Sequence, residues 1–175
     1  MTFKEQIIAS CIGTFFGFIF AIVLFFITNF IQQLLVKISF RAYLKREFKY
    51  NISLLKEWID EIDKVLRKIT AEDKQVYSYL KYSFFQRYFM QESFKLGIMY
   101  KLFDNEDIFS LNKVLLHCDI GMEQYVNSLI DRWKKGEIKR QEALDAFEFQ
   151  KEELKEYKKH LEKLLSVIKS KKITF

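Results

Sequence analysis

The chain has 175 residues and a formal net charge of +6, contains no proline and has only five glycines. This composition excludes a glycine-rich phosphate loop and favours long, uninterrupted helices. The two cysteines, Cys11 and Cys118, are too few for a disulfide framework, and the modest positive charge falls short of a surface for duplex nucleic acid.

The first predicted element is a membrane-spanning helix. Residues Ile7 to Ile27 carry no charged side chain, and at about 1.5 Å per residue this run is roughly 31 Å long, close to the hydrocarbon thickness of a bilayer. A cleaved signal peptide is the alternative interpretation. The run is longer than the usual apolar core of a signal peptide and no A-x-A-like site follows it, so we expect a retained anchor.

Four small residues lie one helical turn apart inside this run: Ala9, Gly13, Gly17 and Ala21. Such a stripe lets two membrane helices approach closely. Glycine and alanine are common in membrane helices, so the pattern also arises by chance. We expect a true helix–helix face here, with another copy of the chain or another membrane protein as the partner.

Cations flank the span unequally. Lys4 precedes it, whereas five cations follow it: Lys37, Arg41, Lys45, Arg46 and Lys49. This asymmetry predicts a single-pass protein with the N-terminus outside and the C-terminal domain in the cytoplasm. All of the trailing cations except Arg46 repeat every fourth residue, which gives one basic stripe suited to anionic lipid headgroups.

Residues 1–41 are therefore predicted to form the anchor with its basic stripe, and residues 42–175 an all-α domain. We expect the span to continue without a break into the first helix of a four-helix-bundle-like fold. That helix has apolar residues at alternating steps of four and three from Phe48 to Ile69, and it is expected to end near Thr70.

The second predicted helix covers residues 72–103 and is rich in aromatic side chains. Part of it alternates as a strand does, but a helix is favoured because no turn residues close a hairpin. A third helix is expected from residue 108 or 110 to Trp133, and a fourth from about 138 to 169. In the fourth, apolar residues recur every seven positions: Phe147, Leu154, Leu161 and Ile168.

Residues that carry chemistry are few. His117, Cys118 and Asp119 are consecutive, so they cannot all face one metal ion from a helix, and zinc-type spacing is absent from the sequence. We expect neither a cofactor nor enzymatic activity. Lys151, Lys155 and Lys159 of the last helix are interpreted as part of a solvated charged face on which a helical partner could dock.

The aromatic segment supplies the candidate ligand-binding residues, which combine rings able to stack on a base with cations able to hold a phosphate. They are Lys81, Tyr82, Arg87, Tyr88 and Lys95. The alternative is that the rings belong to the core and the cations only line its wet edge.

The layout of one N-terminal span and a small helical domain without a catalytic motif resembles small membrane-anchored effectors of bacterial antiphage defence. Some of these are triggered by cyclic oligonucleotides. The resemblance lies in organisation and in a composition rich in Lys, Ile and Phe, and it assigns no individual residue. It implies an oligomer whose soluble domains bind a nucleotide signal. The alternative is a structural or scaffolding subunit of a membrane protein complex.

Overall fold

The computed structural model describes the backbone of residues 3–76 and 78–170, together with their side chains except those of residues 4–11, 33, 36 and 37. The described chain is all-α. Its helices are α1 (Phe3–Thr70), α2 (Tyr88–Lys95), α3 (Ile98–Leu102), α4 (Asn105–His117), α5 (Ile120–Lys135) and α6 (Arg140–Ser170), with a 3-10 turn at Tyr82–Phe84. The chain divides into two units, Met1–Ala42 and Tyr43–Phe175.

The N-terminal unit contains one helix segment that is long and apolar enough to cross a membrane. This segment, Ile12–Gln32, has 21 residues and a mean hydropathy of 2.3, and none of it is buried. It begins five residues later than the run read from the sequence, whose first side chains lie outside the described ones. The prediction of one N-terminal candidate span is confirmed.

The core of the C-terminal unit is built on the two periodic helices predicted from the sequence. On α1, Phe48, Leu55, Ile62 and Ile69 are completely buried, while Ile52, Ile59 and Leu66 pack against the same core from its edge. On α6, all four residues of the seven-residue repeat, from Phe147 to Ile168, are completely buried. Burial of these two apolar faces against a common core is the main stabilising term of the fold.

The prediction of one helix from residue 108 or 110 to Trp133 is wrong, because α4 and α5 are separate helices divided at Cys118 and Asp119. The Asp119 side chain accepts a hydrogen bond from the Met122 N–H at 2.8 Å and so caps α5. Asp104 caps α4 in the same way, as its position in an acidic loop predicts. Gly136 closes α5 in the left-handed conformation, after the basic residues of its last turn.

The prediction of a single helix over residues 72–103 is also wrong. Glu72 has a φ of +56°, which ends helical continuation after α1. Residues 78–87, here called the linking segment, are irregular except for the 3-10 turn, and helix resumes only at α2 and α3. Gly97, with a φ of +68°, separates α2 from α3.

Side chains from two helices satisfy the backbone of the linking segment. The Asn127 amide accepts from the Leu80 N–H at 3.0 Å and donates to the Leu80 carbonyl at 2.9 Å. The Asn51 amide makes the same two bonds with Gln86, at 2.9 and 2.5 Å. Each asparagine therefore replaces the backbone of a neighbouring strand, and the segment needs no sheet to pair its polar groups.

One face of α5 is dedicated to this role. Glu123, Asn127 and Asp131 lie four residues apart and contact the linking segment in order. Glu123 accepts from the Ser83 N–H at 2.8 Å, and Asp131 accepts from the Tyr79 hydroxyl at 2.7 Å. Beneath these bonds, the Tyr82 ring packs on Trp58 of α1 with centroids 4.5 Å apart. Polar bonds on one side and aromatic packing on the other fix the segment in place.

Glu47 fixes the start of α2. Its carboxylate is buried and accepts hydrogen bonds from the N–H groups of Phe89 and Met90 at 2.7 and 2.9 Å. Burial raises the pKa of the Glu47 carboxyl, and the two backbone donors act against that rise. A carboxylate at a helix N-terminus is favourable both as a cap and through the helix dipole.

Replacing Asn127 tests the role of the side-chain amides. Asn127→Ala leaves both polar groups of Leu80 without these partners, so we expect the free energy of unfolding to fall by about 2 kcal/mol. Urea denaturation of the full chain in mild detergent, followed by the fluorescence of Trp58 and Trp133, measures the change. Asn112→Ala, at an exposed position of α4, is the control and is expected to shift stability by less than about 0.5 kcal/mol. Equal effects of the two variants would contradict the assigned role.

Candidate functional site

The small-residue stripe of the span is open in the monomer. Gly13, Gly17 and Ala21 are exposed, and a Cβ atom added at either glycine would have no atom within 4 Å apart from its own stretch of helix backbone. The side chain of Ala9 lies outside the described ones. The described part of the stripe thus offers room for a second helix backbone at the two glycines.

The basic stripe is distributed over both units. Arg41 belongs to the N-terminal unit, whereas Lys45 and Lys49 belong to the C-terminal unit, where Lys49 is exposed and Lys45 half-buried. The side chain of Lys37 is not among those described. The predicted roles of these four cations in topology and lipid contact stay predictions.

The five predicted ligand-binding residues occupy different surroundings. Tyr82 is completely buried in the core, and the Arg87 guanidinium donates to the Cys118 carbonyl at 2.5 Å. Lys81 is exposed, with its ammonium 5.3 Å from the centre of the Phe84 ring. Tyr88 and Lys95 are exposed on α2. A ligand that reaches Tyr88 and Lys95 therefore has no access to the Tyr82 ring in this conformation.

A cavity of about 500 Å³ lies between the end of α1 and the residues that follow it. Its cations are Lys64, Arg67 and Lys68, and Lys68 is paired with Asp73 at 2.5 Å. These cations lie in the last two turns of α1, where they complement the negative end of the helix dipole. Their position accounts for their charge without a ligand.

A second cavity, of about 280 Å³, lies between α1 and α6 and is called here the lysine groove. It is lined by Lys56, Ile59, Lys155, Lys158, Lys159 and Glu162. Lys155 is paired with Glu152 at 2.6 Å and Lys158 with Glu162 at 2.9 Å. Lys56 and Lys159 have no ion pair with any residue that the structure describes.

The sequence showed Lys155 and Lys159 on one helix face and predicted a solvated surface there, on which a helical partner could dock. The lysine groove was missed because Lys56 lies about a hundred residues earlier. Packing of α1 against the common core next to α6 brings it to the same cavity. The groove gathers four ammonium groups around one carboxylate, which is suited to an anion carrying several negative charges.

His117, Cys118 and Tyr82 form a buried cluster. Burial raises the pKa of the Cys118 thiol to about 12, so it lacks the thiolate character of a nucleophile. Burial lowers the pKa of His117, while Glu153, 3.3 Å from Nδ1, opposes that change. His117 Nε2 lies 3.1 Å from the Gln150 side-chain oxygen.

The contacts of His117 with α6 give this cluster a structural role in the core. The His117 ring contacts Tyr157 edge-on with centroids 5.0 Å apart, and its two nitrogens are occupied by residues of α6. In the described parts of the chain, no group of three His, Cys, Asp or Glu side chains is arranged to hold a metal ion.

Comparison of the chain with protein-family models, curated proteins and solved structures found no match.

Proposed function

We propose that this chain is a single-pass protein of the bacterial inner membrane that acts as a non-enzymatic sensor or effector. Exposure of the whole apolar segment Ile12–Gln32 is the observation that carries this proposal. An exposed apolar helix whose length matches the hydrocarbon thickness of a bilayer is stable in lipid and unstable in water. The excess of cations after the segment favours an outward N-terminus and a cytoplasmic helical domain.

Self-association through the span is the second part of the proposal. The open stripe at Gly13 and Gly17 supports it, because close helix contact in lipid depends on backbone approach rather than on a hydrophobic driving force. An assembly of spans is also what an effector needs in order to perturb a bilayer, as in the antiphage effectors that the layout resembles.

Bulky residues in the stripe are expected to weaken this assembly. Gly13→Ile combined with Gly17→Ile separates the two backbones, and we expect the oligomer fraction in detergent to fall at least threefold, measured by light scattering coupled to size-exclusion chromatography. The matched control is Phe15→Ile with Phe26→Ile, which places two isoleucines on roughly the opposite side of the helix. An unchanged oligomer in the glycine variant would refute association through the stripe.

Recognition of an anionic signal by the helical domain is the third part. The lysine groove supports it, because two of its four lysines have no acidic partner among the described residues and its volume suits a phosphate-bearing group. Nucleotides and cyclic oligonucleotides belong to this chemical class. The groove replaces the aromatic segment as the site that we favour, since Tyr82 is buried and Arg87 is already engaged.

Inorganic tripolyphosphate is a direct probe of the groove. Lys56→Gln with Lys159→Gln removes the two lysines without acidic partners, and we expect roughly a 10- to 30-fold loss of affinity by calorimetry on the full chain in neutral detergent. Lys113→Gln with Lys139→Gln removes the same charge from α4 and from the connection before α6. If both pairs of substitutions weaken binding equally, the attraction comes from net charge and the groove is not a site.

A scaffolding subunit remains the second candidate function, and one surface favours it. Phe109 and Leu116 of α4, followed by Ile120 at the start of α5, are all more than half exposed. Their spacing places them near one side of the α4–α5 corner, where a partner protein in a membrane complex would bury them.

A further inference from the structure

The corner formed by α2 and α3 exposes large side chains that the fold does not use. Tyr88, Leu96 and Tyr100 are 65%, 59% and 63% exposed. With Tyr43 and Lys95 they make up what is called here the aromatic–basic face. Tyrosine has an apolar ring and a polar hydroxyl, a combination that is enriched where protein meets the headgroup layer of a membrane.

Ring contacts tie the exposed tyrosines of this face to two partly buried phenylalanines. Tyr43 stacks on Phe89 with centroids 5.0 Å apart and an interplanar angle of 13°, and Tyr88 meets the same Phe89 ring edge-on at 5.0 Å. Beyond the Gly97 bend, Tyr100 packs edge-on against Phe94 at 5.8 Å. Phe89 and Phe94 are partly buried and anchor the exposed rings to the core.

Contacts with α1 locate the face within the C-terminal unit. Gln86 is bound to Asn51, Phe89 and Met90 are bound to Glu47, and Phe89 stacks on Tyr43. Later residues of this stretch thus contact progressively earlier residues of α1. The start of α2 lies beside the first residues of the C-terminal unit, which Tyr43 begins.

This placement keeps the face within reach of a bilayer. Tyr43 follows Gln32, the end of the candidate span, by eleven residues. A chain of that length extends at most about 40 Å, and less when it is helical. A membrane surface is consequently present at high local concentration for any anchored copy.

The charge of this region also favours contact with an anionic membrane surface. Residues 43–50 and 86–103 contain six cationic side chains and only two acidic ones, Glu47 and Glu92. Glu47 is turned inward as the cap of α2, and Glu92 is paired with Lys95 at 2.6 Å. The exposed charge of this region is therefore positive, as anionic headgroups require.

We infer that the aromatic–basic face lies on the headgroup layer of an anionic bilayer, as a second membrane contact in addition to the span. The inference rests on the proposed anchoring of the chain. Binding places α2 and α3 along the membrane surface, where the tyrosine rings and Leu96 enter the interface and Lys95 meets lipid phosphates.

Fluorescence quenching by brominated lipid tests this contact on the full chain in reconstituted vesicles. Tyr100→Trp places a probe on the face, and Tyr125→Trp, at another tyrosine that is more than half exposed, on α5, is the matched control. Quenching of the native Trp58 and Trp133, measured in the unmodified chain, is subtracted. In vesicles with 30% phosphatidylserine we expect at least threefold more quenching at position 100 than at position 125.

Charge removal gives the second arm of the experiment. Lys95→Gln with Lys101→Gln in the Tyr100→Trp chain is expected to weaken surface binding about fivefold for each cation removed, so that quenching falls towards the level in pure phosphatidylcholine. Flotation of the chain with the vesicles reports anchoring separately, and a failure to float would overturn the proposed function itself.

Three results would overturn the inference while leaving the anchor intact. One is equal quenching at positions 100 and 125, which shows a domain without a preferred face. Another is quenching at position 100 that stays the same without phosphatidylserine and after replacement of Lys95 and Lys101. The last is a blue-shifted, unquenched probe whose shift disappears when the protein is diluted in lipid, which shows that a second copy covers the face.

Discussion

The structure depends on one constraint: the linking segment has partly buried backbone groups and no neighbouring strand to pair them. Asn51 on α1 and Asn127 on α5 meet this constraint by pairing both polar groups of a single residue each. A buried amide or carbonyl without a partner costs about 1–3 kcal/mol, so the two asparagines decide where the segment can lie. Its path then places Tyr82 against Trp58 and delivers Phe89 and Met90 to the carboxylate of Glu47.

The same arrangement links the fold to the proposed function. The segment holds α2 beside the start of the C-terminal unit, where Tyr88 contacts Phe89 and Phe89 stacks on Tyr43. Tyr43 follows the end of the candidate span by eleven residues. The lysine groove lies between α1 and α6. We therefore regard α1 as the element shared by the span, the proposed signal site and the proposed surface contact, since all three include its residues.

Much of the fold was predictable because helical periodicity is a local signal. The repeats from Phe48 to Ile69 and from Phe147 to Ile168 identified both core helices, and Gly136 marked the end of α5. The linking segment was not predictable, because its backbone is bound by asparagines distant in sequence: Asn51 lies 35 positions from Gln86, and Asn127 lies 47 positions from Leu80. Similarly, the groove that joins Lys56 to Lys159 exists only after α1 and α6 have packed.

Protease protection in bacterial spheroplasts tests most directly whether the chain is a single-pass anchor with a cytoplasmic helical domain. A tag after Phe175 is expected to survive protease in intact spheroplasts and to be lost only on lysis. A tag before Met1 is expected to be digested in the same intact spheroplasts, and the chain to remain in the membrane pellet after alkaline carbonate. Digestion of the C-terminal tag in intact spheroplasts, or release of the chain by carbonate, would contradict the claim.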